Sequence, residues 1–146
     1  MAKAPDILRR VNRLIVIREY TSLWQQFFSF FADDISERQF TEEEEQSFTE
    51  IVTMLSINQF KFQELSRGYF KDADDILEVL EDAVSLQHIQ LMNQASFEKM
   101  QIKWHTLFIA MNKAIGKLYK EMNPKELEEF QALTAEEVEE SVETPT

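Results

Sequence analysis

No proline occurs between Pro5 and Pro124, and the only glycines in the chain are Gly68 and Gly116. These two residue types are what a chain uses to stop helices, turn tightly and bulge strands. Within that span, apolar residues recur at spacings of three and four, the period of a helix face. No alternating strand pattern interrupts them. The expected fold is all-α: an antiparallel bundle of four long amphipathic helices plus a short C-terminal helix.

The helices are expected at about 6–32, 41–67, 72–92, 96–122 and 124–133. Pro5 suits a helix start, where its missing N–H costs nothing. Ile7, Val11, Leu14, Ile17, Tyr20, Trp24, Phe28 and Phe31 form the first stripe, and Leu8, Ile15, Leu23, Phe27 and Phe30 broaden it. An arc this wide predicts cover on two sides. Thr41 followed by Glu44 reads as a capping box. Phe48, Leu55 and Phe62 fall seven apart on the second helix, with Asn58 in a core-type position. Gly68 is placed to end that helix as a left-handed cap.

Leu77, Leu80, Ala83, Val84 and Leu91 are the expected apolar face of the third helix. Ser96 is the expected cap of the fourth, where Phe97, Trp104, Met111 and Leu118 alternate with Met100, Leu107 and Ala114. Asn123-Pro124-Lys125-Glu126 is a restart signal of cap, first-turn proline and acid. Gly116 falls inside a helix, and a close helix crossing is the simplest reason for it. One domain over 1–133 is expected, followed by an acidic, partly disordered tail over 134–146.

Hydrophobic residues make up 44% and aromatics 12%, enough for a sizeable core. The net charge of −12 is uneven. Residues 1–20 hold five bases and two acids, whereas residues 121–146 set Lys125 against nine glutamates. Phosphate contact needs a dense basic face, so nucleic-acid binding is not expected. The sequence contains no cysteine, which removes disulfides, thiolate catalysis and thiolate metal sites. Arg9, Arg10, Arg13 and Arg18 interrupt the apolar positions that a secretory signal would need. Leu14 to Phe31 is too polar for a membrane span. A cytoplasmic location is the expectation.

One feature is a candidate for chemistry. Asp72, Asp74, Asp75, Glu78, Glu81 and Asp82 include spacings of three, four and seven, and carboxylates so spaced can hold Mg²⁺. Asp74, Asp75, Glu78 and Glu81 are the residues of a metal-dependent nucleotide hydrolase reading. Glu78-x-x-Glu81 supplies half of the paired Glu-x-x-Glu pattern of all-α nucleotide pyrophosphatases, and no Glu-x-x-Asp pair follows. Neither histidine ends a Glu-x-x-His motif, since Ser85 precedes His88 and Ile102 precedes His105. Neither starts the His-x-x-Lys-Gly pattern of phosphotransfer bundles. Two isolated glycines cannot make a phosphate loop.

Two further features are candidates for binding. Trp24, Phe27, Phe28, Phe30 and Phe31 cluster on the first helix, while Met54, Ile57, Phe60, Ile102 and Ile109 lie off the main seams. Such surplus suggests contact with another protein or a homodimer. Lys3, Arg9, Arg10 and Arg13 beside Ile7, Leu8, Val11 and Leu14 can lie on an anionic membrane or pair with the acidic C-terminus. The leading expectation is a non-enzymatic protein of adaptor, chaperone-like or regulatory type, oligomeric, with no metal, cofactor or catalytic residue. The alternatives are the hydrolase and a peripheral membrane protein.

Overall fold

The computed structural model describes residues 9–31 and 38–143, with side-chain surroundings as far as Thr134. Lys3, Pro5, Ile7, Leu8 and the connector over 32–37 lie outside the described residues. All regular structure among them is helical: α1 (Arg10–Ser29), α2 (Glu42–Ile57), α3 (Gln59–Leu65), α4 (Ala73–Asp82), α5 (Leu86–Gln90), α6 (Gln94–Glu121) and α7 (Pro124–Glu143).

α1 is the hub, packing against α6, α2, α3 and α7. Val11, Leu14, Ile17, Tyr20, Trp24, Phe27 and Phe31 are buried along it. Phe28 and Phe30 are half-buried against the same core. The broad aromatic arc is therefore covered from several sides. Met100, Trp104, Leu107, Met111, Ala114 and Leu118 form the buried face of α6, as their heptad spacing requires.

The two tryptophans join these helices reciprocally. Trp24 Nε1 donates to the Trp104 carbonyl at 3.2 Å, and Trp104 Nε1 donates to the Trp24 carbonyl at 3.0 Å. Their rings stack with centroids 6.1 Å apart. Both indole donors are satisfied in a buried place, where an unpaired one would be costly.

The capping box at Thr41 forms: the Glu44 N–H donates to Thr41 Oγ1 at 3.1 Å, and the Thr41 N–H donates to Glu44 Oε1 at 3.1 Å. Asn123 and Glu126 make the same pair of bonds at the start of α7. Gly68, at φ +91°, takes the left-handed conformation just beyond α3.

Several expectations change. The second helix is broken at Asn58, whose side chain donates back to the Met54 carbonyl at 2.9 Å. Gln59, rather than Asn58, is buried, and its amide donates to the Ala73 carbonyl at 2.8 Å. That bond ties the break to α4.

The third helix is also two helices. α4 stops at Asp82, and α5 restarts with Ser85 accepting from the His88 N–H at 2.9 Å. The break resets the register. Ile76, Val79, Leu80 and Ala83 face inward, whereas Leu77, Val84 and Leu91 are exposed. Glu45 of α2 closes the start of α5 with both oxygens, accepting from the Leu86 N–H at 2.8 Å and the Gln87 N–H at 3.0 Å.

α6 begins earlier than expected because Asn93, not Ser96, is the cap: its side chain accepts from the Ser96 N–H at 2.8 Å. α7 continues past Leu133 to Glu143. Gly116 marks no crossing: it is exposed, and a Cβ there would meet nothing within 4 Å.

Candidate functional site

The acidic run lies on α4, where acids suit the positive end of the helix dipole. Asp74 and Asp75 occupy its first turn. Glu78, Glu81 and Asp82 form one wall of a cleft of about 690 Å³. Opposite them stand His88, from α5, and Lys99 and Lys103, from α6, with Val79, Met92 and Met100 also lining it. Asp74 and Asp75 do not line this cleft.

The cleft is bridged by charge. Lys103 Nζ lies 2.6 Å from Glu78 Oε2. That hydrogen bond holds the Glu78 carboxyl below its ordinary range and raises the Lys103 ammonium. Asp75 and Asp82 raise Lys103 further through their charge. The carboxylates at positions 75, 78 and 82 thus act together on one lysine of α6. Among the described residues, no three His, Asp or Glu side chains converge to hold a metal ion. An ammonium beside Glu78 stands where a divalent cation would need open oxygen ligands. The spacing found the acidic face; the lysines opposite, 17 to 25 positions away in sequence from the acids they face, gave no local signal.

Neither histidine is buried. His105 meets the edges of Phe28 and Trp104, with centroids 5.4 and 5.0 Å away.

The basic stretch of α1 is used inside the molecule. Arg9 pairs with Glu129, and Arg10 pairs with Glu126 at 3.0 Å. Arg13 donates to the Leu65 carbonyl at 2.7 Å and to the Arg67 carbonyl, and its guanidinium lies 4.7 Å from the Tyr69 ring centre. Cations there complement the negative end of α3. Arg18 lies over the Phe130 ring at 5.2 Å. Among the described residues, no helix is long and apolar enough to cross a membrane.

The off-seam apolar residues remain outside. Ile57 is 72% exposed, Phe60 67%, Ile102 66% and Ile109 54%, and Met54 is also exposed. Ile102 and Ile109 are one heptad apart on the outer side of α6. His105 and Thr106, also exposed, lie between them. Their spacing puts all four on one face, opposite the buried Trp104, Leu107 and Met111.

Comparison with protein-family models, curated proteins and solved structures finds no match to this chain.

Proposed function

We propose that the chain is a non-enzymatic, self-associating bundle of four antiparallel helical runs. The runs are α1, α2 with α3, α4 with α5, and α6, with α7 added against α1. Side-chain contacts support opposite directions for neighbours. Phe31 meets Phe97, while Trp24 meets Trp104 seven residues along each helix in opposing senses. Likewise Phe27 meets Phe48, Tyr20 bonds to Leu55, and Arg13 bonds to Leu65.

The role is protein–protein contact, of the adaptor, chaperone-like or regulatory class, in the cytoplasm. One observation carries it: Ile102 and Ile109 stand more than half exposed, one heptad apart, on the longest helix among the described residues. Single exposed apolar residues are ordinary on any surface. A pair in heptad register on a helix already buried on its other face is a seam for another helix.

Sedimentation velocity across a concentration series tests the reading. The wild-type chain is expected to associate as concentration rises, and I102E/I109E to stay monomeric with unchanged helical content. A wild-type chain that sediments as a monomer throughout would overturn it.

A further inference from the structure

Resting on that reading, we infer that the occupant of the α6 seam is a second copy of α6, antiparallel and related by a two-fold axis between His105 and Thr106. The outer face of α6 carries its own complement. Around that centre, Ile102 falls opposite the partner's Ile109, and Ile109 opposite the partner's Ile102. His105 falls opposite the partner's Thr106, an imidazole against a hydroxyl. Four residues beyond each isoleucine, Lys113 falls opposite the partner's Glu98.

These positions, 98, 102, 105, 106, 109 and 113, share one helix face by their spacing. Both charged members are exposed, and neither is ion-paired among the described residues. Glu98 accepts from Gln94 Nε2 at 2.9 Å, which leaves its other oxygen open. A two-fold interface uses each pairing twice, so two Ile–Ile contacts sit at the centre and two Lys–Glu contacts at the rim. Parallel pairing would instead set Lys113 against Lys113 and Glu98 against Glu98. The charges therefore select the direction, and the isoleucines supply the contact.

Charge reversal tests the register separately from association itself. Dissociation constants are measured by sedimentation equilibrium for the wild type, K113E, E98K and K113E/E98K. K61E, on α3, controls for the change in net charge. Each single reversal on α6 is expected to weaken association about tenfold, as facing like charges do. The double variant is expected to recover it to within about threefold, because the swapped pair is again complementary. K61E is expected to leave it unchanged.

Wild-type association combined with failure of the double variant to recover would overturn the antiparallel register while leaving the self-association reading standing. A monomeric wild type would remove both. Circular dichroism on each variant shows whether the fold has survived the substitution.

Discussion

Trp104 joins α6 to α1 through both its ring and its indole N–H. It is 2% exposed, stacks on Phe28 at 4.2 Å and Phe108 at 4.9 Å, and exchanges hydrogen bonds with Trp24. Trp104→Ala is expected to cost about 3–5 kcal/mol, the range for large core truncations. Urea denaturation measures it, and a loss below about 1 kcal/mol would remove Trp104 from the core. The two glycines predict opposite signs. Gly116 is exposed within α6 with open space around it, so Gly116→Ala is expected to stabilise by about 1 kcal/mol. Gly68 holds φ at +91°, so Gly68→Ala is expected to destabilise by about 1–2 kcal/mol. Sequence made both positions conspicuous. It could distinguish them only by their place, one at a helix end and one inside, because neighbours across space leave no mark on a single chain.

At the scale of elements, the caps connect the fold to pH. Glu44 lies below the ordinary carboxylate value of 4.5 because the Thr41 N–H bonds to it, and Glu126 because the Asn123 N–H does. A carboxyl lowered by folding adds stability above its unfolded value, and that stability is lost as pH falls through the folded one. Melting temperature should therefore fall with acid below about pH 4.5, the reference value from which both groups are lowered. E44Q/E126Q, which keeps a side-chain acceptor at each third helical position, should flatten that fall. An unchanged acid profile would contradict the assignment. At the alkaline end, burial raises the Tyr20 phenol, which donates to the Leu55 carbonyl at 2.6 Å. Its contribution is complete below pH 10 and declines as pH rises above it, where the phenol ionises in the unfolded chain while the folded one keeps its proton.

Both capping boxes were legible because a cap and its partner lie three residues apart. The breaks at Asn58 and Ala83–Ser85 were not. Gln59 is held by the Ala73 carbonyl, and the start of α5 by Glu45, 41 residues from Leu86. The break at Ala83–Ser85 resets the register, so Val84 and Leu91 leave the face that α4 buries; within α4, Ile76, Val79 and Leu80 keep the local period and Leu77 lies off it. The acidic face was legible as a pattern, but its lysine partners on α6 belong to the packing.

At the scale of the molecule, charge is sorted by element. The bases of α1 go to α7, to the end of α3 and to aromatic faces, and Lys103 goes to the acids of α4. Outward on α6, about His105 and Thr106, stand the two isoleucines, with Lys113 beyond one and Glu98 beyond the other. The chain has no cysteine, so Ile109→Cys gives a single attachment point for a nitroxide label. Antiparallel α6 helices in contact lie on the order of 10 Å apart between axes. Pulsed dipolar spectroscopy of singly labelled I109C therefore predicts a defined intermolecular distance that disappears on dilution with unlabelled wild-type protein. A label at L91C, off the seam, predicts a broader and longer distribution. Absence of any intermolecular coupling from I109C at concentrations where the labelled chain itself sediments as an oligomer would contradict the α6 interface.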